Sequence, residues 1–290
     1  MRFGISLPPF AEFSDPLFLA DVAAEAESAG WDGFFPWDNL VFDATFHPIP
    51  GMWVALSAVA TRTQRMKIGP MVTALPRRHP WDVAREAVSL DHLSRGRLIL
   101  GVGLGLPPEW EFGAFHQETD AILRGEMLDE SLAILDGLWS GEPFQFSGKH
   151  YQIEEARFLP RPKQQPRIPI WVAGVWPNKR PFRRAARYDG VFPIGDTEAL
   201  TPETWREIFA YVQSHRTHQE PFEYVTLGRL PEAPDEARAI IAAHEAVGVT
   251  WWLESIHPWA LGKWDDPWTP EATQKMIERI RQGPPTAWGG

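Results

Sequence analysis

The sequence predicts an α/β fold, a (β/α)8 barrel of the TIM type with an insertion after strand four, and three observations carry that prediction. Eight short apolar runs alternate with helix-like stretches along the chain. No repeat or linker composition divides the 290 residues, and barrels of this kind commonly reach ~250 residues as one unit. The run Arg97–Leu100 is apolar without clear alternation, the pattern of a parallel strand buried on both faces. Residues 1–290 are therefore read as one domain, with its working end at the C-terminal ends of the strands.

In chain order, Arg2–Leu7 is strand one. Asp15 caps the first helix, which has Pro16 at its first position and stops at Gly30. Asp32–Pro36 is strand two, followed directly by Trp37-Asp38-Asn39, and a second helix covers Met52–Thr63. Met66–Val72 is strand three, with Thr73 just past its end, and Pro80 opens a helix running to Ser94 and Gly96. Strand four, Arg97–Leu100, then meets three alternating glycines, Gly101, Gly103 and Gly105. Such glycines mark a place where a ligand or a tightly packed neighbour approaches the backbone.

The rhythm breaks from Leu104 to Arg167, an excursion holding a helix (Leu123–Trp139) and a hairpin of Phe144–Phe146 with His150–Ile153. Strands five to eight follow at Ile168–Ala173, Gly190–Pro193, Phe222–Leu227 and Val249–Leu253. Their helices are Asn178–Tyr188, Pro202–His215, Asp235–Val247 and Pro270–Arg281.

Composition removes several functions. With 28 basic and 38 acidic residues the net charge is −10 and no basic cluster dominates, which argues against a nucleic-acid partner. There is no cysteine, hence no disulfide framework and no zinc–thiolate site. His47, His116 and His257 lack metal-ligand spacing, and no H-E-x-x-H, G-x-S-x-G or P-loop pattern occurs, so no metal is expected. No signal-peptide pattern and no apolar run near the ~18 residues of a membrane helix are present. The expectation is a cytoplasmic enzyme-sized domain without a membrane partner.

The strand ends supply the candidate site. Strand five reaches Ala173 and Gly174, and a helix begins a few residues later. Free N–H groups at that start suit a phosphate, with Asn178 as cap and Lys179 and Arg180 adding charge. Arg183, Arg184 and Arg187 continue the same face and read as a solvated basic face paired with acids. Asp38, at the barrel mouth, is either a proton-transfer group or a turn cap. Thr73 offers a hydroxyl to a heteroaromatic ring, or is a turn residue. Glu254 is either functional or salt-bridged to a loop arginine, and His79 is read as a surface residue. The excursion's Trp110, Phe112, Phe115 and Phe144 are either a shield over the site or satellite packing. GVGLG does not complete a G-x-G-x-x-G fingerprint.

Several segments together resemble the luciferase-like flavin-dependent oxidoreductases, which include the deazaflavin F420-dependent dehydrogenases and reductases. They are FGISLP (3–8), AGWDGFFPWDN (29–39), IGPMVTALPRRHP (68–80), LDHLSRGRLILGVGLG (90–105), LDESLAILDGLWSGEPFQFSGKHY (128–151), PRPKQQPRIPIWVAG (160–174) and RRAARYDGVFP (183–193). The resemblance implies the barrel with its insertion at about 104–167, a homodimer, and reduced FMN or F420 at the mouth. It implies a cofactor phosphate near Gly174–Arg180, a ring near Thr73, Gly103 and Gly105, and in many members a separate reductase. Where the F420 branch often has Trp-Asp-His, this chain has Asn39, which does not titrate near neutrality, leaving Asp38 as the catalytic candidate. Where bacterial luciferase has a phosphate-binding arginine after strand four, this chain has Leu104, which puts weight on Arg180. The resulting expectation is FMNH2/O2 monooxygenation or F420-dependent hydride transfer on a small-molecule substrate. A non-catalytic flavin-binding barrel and a flavin-free phosphate-binding barrel are the alternatives.

Overall fold

The computed structural model describes residues 1–42, 48–195, 199–217, 219–261 and 268–285. Its centre is a parallel sheet whose strands are buried on both faces, which is why they read as continuous apolar runs. The elements run β1 (Arg2–Leu7), α1 (Pro16–Ser28), β2 (Gly33–Pro36), α2 (Met52–Arg62), β3 (Lys67–Ile68), β4 (Thr73–Ala74) and α3 (Pro80–Leu93). Then come β5 (Leu100–Gly103), α4 (Pro108–Glu111), α5 (Ala121–Trp139) and an antiparallel hairpin of β6 (Phe144–Ser147) and β7 (Gln152–Ala156). The alternation resumes with β8 (Ile170–Gly174), α6 (Lys179–Ala185), β9 (Gly190–Pro193), α7 (Pro202–His215), β10 (Glu223–Gly228), α8 (Pro234–Glu245), β11 (Trp251–Ser255), α9 (Pro258–Leu261) and α10 (Pro270–Arg281).

Nine strands form one curled sheet in the order β3-β2-β1-β11-β10-β9-β8-β5-β4. Leu98, just ahead of β5, bridges Ile68 of β3, while β4 pairs with β5 itself. Local chemistry sets the helix starts. Asp15 accepts from the N–H groups of Leu17 and Phe18, Asp120 from Ile122 and Leu123, and Thr201 from Thr204, each satisfying donors that a helix start leaves unpaired.

Two strands depart most from the expected boundaries, while the fifth and eighth begin two residues late. The third divides into β3 and β4, because Pro70 has no N–H for the ladder and the chain turns inward across 69–72. Gly69 makes that turn possible: a Cβ there would collide with the carbonyl oxygen of Ile99. The fourth starts three residues late and runs through Gly101 and Gly103. Arg97 lies outside it, with its buried guanidinium donating to the carbonyls of Ala60, Thr63 and Met66 at 2.9–3.0 Å. Ala60 and Thr63 lie at the C-terminal end of α2, where carbonyls lack helical partners, and Met66 lies just ahead of β3. At Gly101 the close neighbour is protein: a Cβ would meet Pro70 O and Met71 Sδ.

Inside the curled sheet, Phe35, Trp171 and Trp251 pack with ring centroids 5.3–5.8 Å apart. Gly33 and Gly190 give up their side chains to these rings, since a Cβ at either position would overlap Phe35, Trp251 or Trp171. Aromatic rings thereby fill part of the sheet interior. We expect Gly69→Ala to cost about 2–3 kcal/mol through overpacking against backbone, measured as a lower urea midpoint with an unchanged slope.

Candidate functional site

Above the aromatic layer lies a cavity of about 350 Å³, within the range typical of small-ligand sites. Ser6, Met71, Val72, Gly103, Ala173, Phe192 and Leu227 bring the strands to its floor and wall. The loops that follow add Trp37, Asp38, Asn39, Leu104, Gly105, Leu106, Gly174, Val175, Asn178 and Ile194. Trp37 is held by its indole N–H, which donates to Ser6 Oγ at 3.0 Å.

One side of the mouth is a buried polar chain. Thr73 donates its hydroxyl to Asp38 Oδ2. Asp38 Oδ1 takes Arg77 Nη2 at 2.9 Å, and Arg77 Nη1 reaches Glu111 Oε2. The other oxygen of Glu111 accepts from Leu40 N at 2.8 Å, Val41 N at 3.3 Å and Asn39 Nδ2 at 3.2 Å. All three charged residues are at least nine-tenths buried. Burial pulls the guanidinium of Arg77 below its ordinary range, opposed by the charge of Asp38.

The other side holds Arg124, 2% exposed and on the cavity wall. Its Nη1 donates to the carbonyls of Leu104 and Gly105 at 2.8 and 2.9 Å, and its guanidinium lies 4.6 Å from the Phe112 ring centroid. Its Nε has no hydrogen-bond partner, and burial lowers its pKa. A buried, unpartnered N–H of a cation is a demand for an acceptor.

Of the residues expected at the site, Asp38, Gly103, Gly105, Ala173, Gly174 and Asn178 line this cavity. Thr73 does not: it is completely buried and acts on Asp38. Arg180 faces a neighbouring groove. The space at Gly174 is filled by the Pro181 ring, the nearest thing a Cβ would meet. At Gly105, φ is +84°, a conformation that favours glycine. Asn178 caps α6 only weakly, accepting from Arg180 N at 3.4 Å.

Three buried charged residues around the cavity are not singled out by the sequence. Arg77 stands in the run Arg77-Arg78-His79, whose members the sequence does not distinguish. Arg77 is buried, whereas His79 is exposed and stacks on Trp81. Glu111 sits in a four-residue helix too short to show a period. Arg124 did leave a signal, because it shares the buried stripe of α5 with Leu128 and Leu132 at a spacing of four.

Glu254 faces away from the cavity, with Arg279 of α10 at 3.1 Å and Trp252 Nε1 at 3.0 Å; the salt bridge goes to a helix rather than a loop. Burial raises its pKa despite that arginine. Phe112 is buried beneath Arg124, Phe144 packs on Gly137 of α5, and Trp110 and Phe115 are exposed. His116 is exposed, His47 lies outside the described residues, and among the described residues no cluster fit to hold a metal occurs.

The chain matches the luciferase-like monooxygenase family model over residues 1–274 and belongs to that family. The F420-dependent glucose-6-phosphate dehydrogenase of Nakamurella multipartita is 34% identical over 183 residues, 61% of this chain and 51% of that protein. The oxygenase component of the flavin-dependent trigonelline monooxygenase of Acinetobacter baylyi is 29% identical over 164 residues, 57% and 44% of the two chains. The chain spans about half the length of the curated relatives it matches. The crystal structure of the monooxygenase RslO1 from Streptomyces bottropensis shares the fold, with a TM-score of 0.76 at 18% identity over 100% of both chains.

Two expectations follow from the buried groups. Arg77→Met leaves two buried carboxylates without their cation and should cost about 3–5 kcal/mol, read by thermal or urea unfolding. His257, beside Ser255 Oγ at 3.1 Å, has its pKa held down to about 4 by burial and then by Arg229. The unfolded chain titrates near 6.5, so it binds the extra proton first as the pH falls. The contribution is complete above that value and is lost between it and about 4. Over this interval His257→Gln should flatten the pH dependence of stability by on the order of 2 kcal/mol.

Proposed function

We propose that this chain is an oxidoreductase that uses FMN or coenzyme F420, built as a single closed (β/α)8 barrel with residues 104–167 inserted after strand four. The observation that carries the reading is Arg124: a buried cation with an unpartnered N–H, on the wall of a cavity whose floor is otherwise apolar. A flavin or deazaflavin needs those two surroundings, a dry surface for its ring system and a cation for its phosphate. The family and its flavin- and F420-dependent members support the class.

The cofactor supplies the redox chemistry when bound; the chain supplies position and electrostatics. Met71, Val72, Phe192, Ile194 and Leu227 exclude water from the floor. Arg124 and Asn178 hold the phosphate end, beside Gly174 and Ala173, and Gly103 and Gly105 let Val72, Ala74 and Phe112 close up behind the wall. Asp38 has both oxygens engaged by Thr73 and Arg77, so its role is to fix Trp37 and Asn39 on either side rather than to carry a proton. Asn39 presents an amide with its NH2 turned to Glu111, leaving its oxygen as the acceptor available to a ligand. The substrate class favoured by the walls is a small apolar molecule. A homodimer fed by a separate reductase is the working form we propose, a partner that the word "component" in the trigonelline relative's name supports.

Anaerobic titration with FMN, reduced FMN and F420, followed by absorbance and fluorescence, tests the reading. We expect sub-millimolar binding of at least one, and binding of none overturns it. Arg124→Leu should weaken FMN roughly tenfold or more, the scale of a hydrogen bond to a charged group, and leave riboflavin unchanged. Equal losses for both would remove Arg124 from phosphate binding.

A further inference from the structure

Beside the cavity runs a groove of about 540 Å³ between the first turns of α5 and the side of α6. The two spaces share Leu104, Ala121, Asn178 and Pro181, so they adjoin at the end of the cavity where Asn178 stands. Four arginines line the groove, Arg180, Arg183, Arg184 and Arg187, against two carboxylates, Glu126 and Asp129. Both carboxylates are engaged. Asp129 takes Arg184 at 2.8 and 2.9 Å and Arg187 at 2.8 Å, and Glu126 takes Lys149 at 2.7 Å and His150 at 3.0 Å.

Arg184 and Arg187 are thus paired with acid as the sequence suggests, though Arg184 is buried rather than solvated. Arg180 and Arg183 are not: among the described residues neither forms an ion pair, and both are exposed to the groove. Gly125 leaves the facing wall without a side chain. In a chain of net charge −10, this is a local positive field at the outlet of a ligand cavity, able to draw an anion that the whole protein repels. Guanidinium groups suit carboxylates in particular, through paired N–H donors.

We propose that this groove is a second anion subsite that takes the oligoglutamate tail of an F420-type deazaflavin whose ring and phosphate lie in the cavity. The proposal rests on the cofactor reading of that cavity. FMN ends at its phosphate and has nothing to place beyond the junction. F420 continues past its phosphate into a chain of glutamates, a run of carboxylates of the right charge. The tail adds affinity by holding its carboxylates close to the groove once the ring is seated.

The experiment compares dissociation constants of FMN, F420 without glutamates and F420 with a long glutamate tail. It uses the wild-type chain and the double variant Arg180→Ala/Arg183→Ala. For the wild type we expect the long-tailed form to bind roughly threefold to tenfold tighter than the tail-less form at low salt, the scale of two exposed ion pairs. That ratio should fall toward one at high salt and in the double variant, with tail-less F420 and FMN binding both proteins alike. Tail-independent binding to the wild type overturns the groove and leaves the cavity reading standing. An equal loss for tailed and tail-less ligands in the variant also overturns it, returning the arginines to the phosphate or the fold. Failure of every ligand to bind the wild type overturns both readings.

Discussion

Arg77 reaches from the turn after β4 to a carboxylate after β2 and another after β5, and the shape of the cavity mouth depends on that crossing. Removing three charges from water costs several kcal/mol per ion, and their attraction returns about as much. The contribution to net stability is therefore small, while the contribution to uniqueness is large: any other arrangement of these loops strands a buried charge. The surplus negative charge is dispersed over neutral donors, the Thr73 hydroxyl, two backbone N–H groups and the Asn39 amide. The same bonds that hold the wall therefore decide which way the Asn39 amide faces.

The cavity sits where it does because of what fills the space below. Phe35, Trp171 and Trp251 pack together inside the curled sheet, where branched aliphatics are more usual in folds of this kind. Above them the inward residues become small or flexible, Ala173 and Met71, and the glycine at 103 has no side chain. Room opens among the strand ends and the loops that follow them.

Most of the fold was legible from the residues. The β9 and α7 boundaries are those read from the sequence, since Gly190 and Pro193 bracket an apolar run and Thr201-Pro202 starts a helix. Strand three was not legible as two pieces, because its division depends on Gly69 meeting a carbonyl of another strand. The site was legible as a set of strand ends but not as a set of partners. Nothing local separates Arg77 from Arg78, or Glu111 from Glu109; only the folded loops do. Thr73, expected just past a strand end, opens β4 and lies buried with its hydroxyl on Asp38. The glycines after strand four left a ligand or a packed neighbour open, and at Gly101 the neighbour is Met71; at Gly174 it is Pro181.

The glycine–aromatic layer has a consequence for how such a barrel changes over time. Gly190 yields its space to Trp171, and Gly33 to Phe35 and Trp251, so neither member of a pair can be replaced alone without overlap or void. Substitution energies at these positions are therefore strongly non-additive, and drift must proceed by compensated exchanges of bulk between neighbouring strands. The layer under the cavity should diverge in coupled steps, large for small across the pair.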